Sequence, residues 1–249
     1  MTESTMAAVS ADLSTTLDID VSRLRDALAA VLPAASKDSA RPILTGVLIE
    51  PEGTGHIRLV ATDSFRLVSV PVPVQLGLAE PVLVSGSSMR QVLAALKPAV
   101  TGGRNPVAPA TFRFDLSESG ETWTGSFDNG HGITTALDMV AGEYPNWRGL
   151  VPWDLVGREG GDSSSGLMAG LNAGYLADMA KAMGKLATGD CPVTIRFQAP
   201  EVKDAPAYDQ HSGPRQVLKP VLFGVRDADR FPADGPQPVG ILMPVKVAK

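Results

Sequence analysis

Three stretches of the chain share one order of polar and apolar positions, a short apolar run followed by apolar side chains at i, i+3, i+4 and i+7. They are TLDIDVSRLRDALAAVL (16–32), PVLVSGSSMRQVLAALK (81–97) and GLMAGLNAGYLADMAKAM (166–183). Each predicts a strand leading into an amphipathic helix, with stripes of Leu24, Ala27, Leu28 and Val31, then Met89, Val92, Leu93 and Leu96, then Leu176, Met179, Ala180 and Met183. A helix of this kind buries one face on a sheet. Strand-like runs follow every helix: 43–50, 56–63 and 65–72 after the first, 111–117, 122–128 and 132–140 after the second, and 192–199, 217–225 and 239–247 after the third. Turns are expected around Ser64, at Ser119-Gly120 and at Asp128-Asn129-Gly130. The predicted unit is strand, helix, three strands, repeated three times, and repetition of one unit marks a modular architecture.

The pattern also suggests boundaries. Residues 1–13 read as an N-terminal tail, 14–152 as a two-unit domain, 153–166 as a Gly/Ser-rich linker and 167–249 as a single unit. The Pro-, Asp- and Gly-rich stretches at 200–216 and 227–238 read as surface loops.

Composition narrows the function classes. A net charge of −5 excludes a uniformly basic binder, so any contact to a polyanion must come from local cations. Such cations lie off the apolar stripes: Arg23 and Arg25 on the first helix, Arg90 and Lys97 on the second, Lys181 and Lys185 on the third. A solvated helix face accounts for any one pair, whereas three helices side by side would offer a shared positive surface. The single cysteine, Cys191, cannot form an intramolecular disulfide and reads as a small apolar residue. No signal peptide and no apolar run of about 18 residues is present, so a cytoplasmic protein is expected.

The search for catalytic chemistry is negative. His56, His131 and His211 are far apart, and no phosphate loop, G-x-S-x-G or S-x-x-K occurs. Asp227, Asp229 and Asp234 lack the glycine and glutamate positions of a calcium loop and read as solvated. Ser85-Gly86-Ser87-Ser88 before the second helix reads as an N-cap made by Ser87 or Ser88, with an anion cradle as the alternative. No enzyme, no metal and no cofactor are expected.

RPILTGVLIE (41–50), LVATDSFRLVSVPV (59–72), VLVSGSSMRQVLAAL (82–96) and GEYPNWRGLVP (142–152) resemble the middle domain of the bacterial DNA polymerase III beta sliding clamps. NAGYLADMAKAM (172–183), KPVLF (219–223) and ILMPVK (241–246) resemble the second half of that family's third domain. The first domain and the first half of the third find no counterpart, which suggests a shortened clamp of bacteriophage origin, working in the host cytoplasm.

The resemblance implies an α+β clamp fold with helices on the inner face and antiparallel sheets outside. It implies a homo-oligomeric ring on double-stranded DNA that tethers a DNA polymerase and binds a clamp loader through short apolar peptide motifs. Carried over residue by residue, the peptide pocket is Leu44, Thr62, Ser64, Phe65, Arg66, Leu67, Pro152, Ile241, Met243, Pro244 and Val245; strand core is the lesser alternative for Leu44, Leu67 and Ile241, and a packed aromatic for Phe65. Arg41 joins the helix cations as a DNA-facing residue, with pairing to a carboxylate as its other reading. A non-ring module that captures clamp-binding peptides is the alternative function.

Overall fold

The computed structural model describes residues 14–75, 77–101, 108–117, 122–151, 153, 156, 171–188, 193–196, 201–203, 215–217, 219–225, 227, 229–232 and 234–243. The chain begins with β1 (Ser14–Ile19) and α1 (Val21–Val31), followed by the one-turn helix α2 (Pro42–Thr45) and strands β2 (Gly46–Pro51), β3 (His56–Thr62) and β4 (Arg66–Pro73). The second unit is β5 (Val82–Ser85), α3 (Gly86–Thr101), β6 (Ala110–Leu116), β7 (Trp123–Asp128) and β8 (Thr134–Leu137). The third contributes α4 (Ala173–Gly184), β9 (Val193–Arg196), β10 (Glu201–Lys203), β11 (Arg215–Val217), β12 (Val221–Val225) and β13 (Val239–Leu242).

The long helices α1, α3 and α4 are each capped by a side chain that satisfies a free amide of the first turn. Asp20 Oδ1 accepts from Arg23 N at 2.9 Å, and Asn172 Oδ1 from Tyr175 N at 3.1 Å. On α3 the capping oxygen is that of Ser85, which accepts from Ser88 N at 3.1 Å, and not Ser87 or Ser88 as expected. Ser88 is buried and instead holds the end of β8, because Asp138 N donates to Ser88 Oγ at 2.9 Å.

Leading strands are exchanged between the first two units. β1 pairs antiparallel with β6, and β5 with β2, so the four-stranded sheet runs β1-β6-β7-β8. The second sheet runs β5-β2-β3-β4-β13-β12-β9, all antiparallel, and therefore crosses from the first unit into the third. The joint is the register Val239↔Ser69, Gly240↔Val68, Ile241↔Leu67 and Leu242↔Arg66. A glycine at 240 allows α4 to approach this joint, since a Cβ there would lie 2.5 Å from Met179 Cε.

Helices α1, α3 and α4 and the inward faces of both sheets share the main core, including Leu24, Leu28, Met89, Phe112, Phe127, Met183 and Phe223. The other face of the seven-stranded sheet carries a smaller cluster of Leu48, Val60, Leu67, Leu83, Trp147, Val151, Leu222, Val239 and Ile241. Burial on both faces explains why β2 to β4 read as nearly continuous apolar runs.

Several expectations need correction. Residues 43–45 belong to α2 and not to a strand, because Pro42 at the first helical position lacks the amide a ladder needs and Thr45 Oγ1 donates to Pro42 O at 2.7 Å. The run at 132–140 shortens to β8, with one isolated bridge between Met139 and Val84. Within the predicted loop at 200–216 stand β10 and part of the hairpin it forms with β11. The loop at 227–238 is partly interior: Asp227 is buried and accepts from Thr188 N at 3.0 Å and Arg230 N at 3.2 Å, and Phe231 is buried beside it. On α4 the stripe is Leu176, Met179, Ala182 and Met183, with Ala180 exposed. The 1–13 tail, the turn at 119–120, Cys191, His211 and most of the 153–166 linker lie outside the described residues.

Candidate functional site

The turn from β3 to β4 is built on Asp63, whose Oδ1 accepts from both Phe65 N and Arg66 N at 3.0 Å. This side-chain turn places Ser64 in the left-handed region at φ 78°, an uncommon conformation for a residue with a Cβ. Arg41 Nη1 donates to Ser64 Oγ at 3.1 Å, and Arg41 Nε to Asp38 Oδ2 at 3.0 Å, tying the loop before α2 to the turn. Thr62 Oγ1 closes the base by donating to Arg66 O at 2.7 Å.

At the far end of the chain, Met243 leaves β13 beside this turn. Its amide donates to Phe65 O at 2.9 Å. Phe65 and Met243 are 54% and 36% exposed, so two large apolar side chains meet water at one place. The Phe65 ring stacks on Tyr175 of α4 with centroids 6.1 Å apart. Arg66 lies beneath, with Nε donating to Asp63 Oδ2 at 3.0 Å, Nη1 to Asp178 Oδ2 at 2.6 Å, and its guanidinium 4.8 Å from the Tyr175 ring centre.

Leu67 and Ile241 stand opposite each other across the joint, both 2% exposed, and form the floor of the outer cluster. Leu44 is also buried, on α2. Ile43, Tyr144 and Val156 pack against the same cluster. Thus Leu44, Thr62, Ser64, Phe65, Arg66, Leu67, Ile241 and Met243 sit along one stretch of the β4–β13 joint and the turn and helix beside it. Pro152, Pro244 and Val245 lie outside the described residues. The structure adds Tyr175, Asp178, Tyr144 and Ile43, for which sequence reasoning gives no site assignment; only the position of Tyr175 in the NAGYLADM run offers a signal.

The segment after β8 crosses the outer face and is fastened by a charged cluster. Arg148 Nη2 donates to Glu50 Oε1 at 2.6 Å and also to Glu52 Oε2. Arg58, 1% exposed, donates to Glu52 Oε1 at 2.9 Å, to Ser69 Oγ at 3.1 Å and to Gln237 O at 3.1 Å. Its guanidinium lies 5.9 Å from the Trp147 ring centre and 5.6 Å from that of Trp153. Burial pushes the Glu50 carboxyl above its ordinary value despite the neighbouring Arg148. Burial acts on Glu52 in the same sense, but hydrogen bonds from Arg58 and Arg148 outweigh it and its carboxyl lies below the ordinary value. Beside this cluster a cleft of about 860 Å³ runs between β7, β8 and β5, with Trp123, Met139, Tyr144 and Arg148 in its wall.

The cations expected to face DNA divide into two groups. Arg90, Lys181 and Lys185 are exposed on their helices, and Arg23 is half-buried. Arg25 is paired with Asp26 at 3.0 Å, and Asp26 in turn with Arg230 at 3.1 Å. The Lys97 side chain lies outside the described residues. Among the described residues no group of three or more His, Cys, Asp or Glu is placed to hold a metal ion, and no helix is long and apolar enough to cross a membrane.

Residues 18–102 match the model of the DNA polymerase III beta subunit, central domain. A beta sliding clamp of Micrococcus luteus is 31% identical over 137 residues, which are 54% of this chain and 40% of that relative. The chain therefore spans less than half the length of this curated relative. Among solved structures, the DNA polymerase III beta subunit of Thermotoga maritima superposes with a TM-score of 0.51 at 18% identity, over 99% of this chain and 68% of that one. The C. crescentus beta sliding clamp gives 0.54 at 14% identity, over 98% and 69%. A sliding clamp of Bartonella birtlesii, bound to griselimycin, gives 0.53 at 16% identity, over 98% and 68%. At these identities the superpositions speak for the fold.

Proposed function

We propose that this chain belongs to the DNA polymerase III beta-subunit family and is a sliding clamp that encircles duplex DNA as a homo-oligomer. In this reading it holds a DNA polymerase through a short apolar peptide. The observation that carries the peptide part is the joint between β4 and β13. It brings Met243 from the end of the chain onto the turn at Phe65, and leaves both side chains exposed above a buried floor of Leu67 and Ile241. Exposed apolar groups over a pre-formed floor, next to hydrogen-bonding backbone, suit an incoming segment with Leu or Phe anchors. Each anchor contributes roughly 1.5 to 3 kcal/mol when fully buried.

The DNA part is supported by the shared helix layer and by Arg90, Lys181 and Lys185, which stand exposed on two of its helices. A ring holds DNA by topology, so a few phosphate contacts suffice and a net charge of −5 is compatible with it. The function needs no catalytic residue and no cofactor. The deciding experiment is calorimetric titration with a peptide of the Q-x-x-L-x-L/F kind, alongside retention of the protein on circular DNA after loading. Saturable 1:1 binding supports the peptide site; no heat from a well-folded protein at high micromolar peptide overturns it.

A further inference from the structure

The chain leaving β8 is sewn to β5. Ser85 N donates to Asp138 O and Val140 N to Leu83 O, both at 2.8 Å, and Met139 bridges to Val84 between them. The chain then turns at Gly142, whose φ of 126° lies where side chains are rarely tolerated and where a Cβ would lie 2.8 Å from Ile43 Cδ1. It is fastened a second time where Arg148 bonds Glu50 and Glu52. The cleft of about 860 Å³ lies between this strap, β5 and the strands β7 and β8, so contacts within the chain hold it open at both ends.

Two chemistries meet in its wall. Trp123, Met139 and Tyr144 supply apolar and aromatic surface, and Gly125 leaves room for the Met139 sulfur, which a Cβ there would meet at 3.1 Å. The Trp147 ring is already covered by Arg58 and Arg148, whereas half-buried Trp123 carries no cation on its ring among the described residues. Charge in the wall is unbalanced. Glu50 and Glu143 face one cation, Arg148, whose Nη2 is shared between Glu50 and Glu52. Glu143 is exposed and makes no ion pair among the described residues. Glu50 is buried, and its carboxyl stays above its ordinary value although Arg148 touches it, as expected where positive charge does not fully offset burial.

We propose that this cleft binds an amphipathic organic cation, a guanidinium or ammonium group on an apolar body, with the charge toward Glu143 and Glu50 and the body against Trp123. An open aromatic face attracts a cation, and a carboxylate in the same wall adds to that attraction. A cavity of this size accepts a ligand of about drug-like dimensions. An anion would meet Glu50 and Glu143 while Arg148 is already engaged, and a neutral apolar ligand would leave the charge imbalance in place. The proposal goes beyond the peptide and DNA readings and depends on neither.

Its test is titration of the full chain with benzamidinium, benzamide and benzoate, three ligands of one shape that differ in charge. Binding is read by calorimetry and by the indole NH signals of the protein, that of Trp123 being identified by its loss in Trp123→Phe. Benzamidinium should bind saturably at millimolar or lower concentration and shift the Trp123 signal, whereas benzamide should bind roughly fivefold more weakly and benzoate not at all. Glu143→Gln alters an exposed side chain and should keep the wild-type melting temperature; it should weaken benzamidinium by about threefold or more and leave benzamide unchanged. A capped arginine-phenylalanine dipeptide is titrated beside them: tighter binding than benzamidinium assigns the cation to a protein segment, weaker binding to a free small molecule. Equal affinity for benzamidinium and benzoate overturns the proposal. So does a lack of saturation at millimolar benzamidinium, or binding that the folded Glu143→Gln variant leaves unchanged.

Discussion

Arg66 of β4 reaches Asp178 of α4 at 2.6 Å, although the two lie 112 positions apart in the chain. Its side chain is 11% exposed and its other edge is held by Asp63. The guanidinium therefore acts as a bolt between the first and third units, directly under the ring of Tyr175. Arg66→Ala should destabilise by about 1 to 3 kcal/mol, since it leaves Asp63 Oδ2 without its donor and removes packing on Tyr175. Asp178→Ala, with a half-exposed carboxylate, should cost about 0.2 to 1 kcal/mol. Urea unfolding of both single variants and the double variant measures their coupling, and a coupling near zero would show that the contact holds nothing together.

Leu67 and Met243 lie on opposite sides of the distinction between floor and rim. Leu67→Ala removes a side chain that is 2% exposed and should lower stability by about 2 to 5 kcal/mol. Met243→Ala trims a partly exposed side chain and should leave the melting temperature nearly unchanged, while peptide affinity falls by about 1 to 3 kcal/mol. Phe65→Ala should weaken the peptide as well, because the ring stacked on Tyr175 forms part of the same rim. Tighter binding by that variant would show instead that the ring narrows the groove. Calorimetry on each variant beside a thermal melt separates these effects.

The repeated stripe of apolar residues makes the helices and most of the strands legible in the sequence alone, because burial of one face imposes its period directly on the residues. Pairing between units leaves no such mark. Nothing in TLDI or PVLVS indicates that β1 joins β6 or that β5 joins β2, since an apolar strand satisfies the core of either sheet equally. The same reasoning covers the site. The turn at Ser64 is legible in the strand pattern and the site assignments of Leu67 and Met243 follow from resemblance to a family, whereas Tyr175 and Asp178 become visible only when β13 brings α4 against β4. Asp227 escapes the sequence for a related reason: a carboxylate in a Pro-rich segment looks solvated unless its donors, here Thr188 and Arg230, are known.

Glu50 and Glu52 should give opposite pH dependences. Glu50 has its folded pKa raised by burial above the ordinary 4.5, so in the window just above that value the folded state holds more protons than the unfolded chain. Its contribution to stability is present below the window and is lost as pH rises through it. Glu52 lies below the ordinary 4.5 through its bonds to Arg58 and Arg148, so its contribution is present above that value and is lost as the pH falls below it. Urea unfolding from about pH 3 to 7 should therefore show that Glu50→Gln removes a downward component of stability with rising pH. Glu52→Gln should remove an upward one at the acid end. Identical pH profiles for both variants would contradict the assignment of the shifts.

The helix cations should separate by what they already touch. Arg25 is committed to Asp26, and a glutamate there would face that carboxylate and disturb the Asp26–Arg230 pair that ties α1 to the third unit. Arg25→Glu should therefore lower the melting temperature as well as altering any hold on DNA. Arg90→Glu, Lys181→Glu and Lys185→Glu alter exposed side chains for which the structure shows no ion pair among the described residues, and should leave folding intact. If these three face the hole of a ring, combining them should shorten retention on circular DNA, and each phosphate no longer neutralised should reduce the salt slope by about 0.9. In a ring the hold comes from topology, so short linear duplex should then bind weakly to wild type and variant alike. Retention on circles unchanged by the triple reversal, in a protein with the wild-type melt, would remove these helices from the DNA-facing surface.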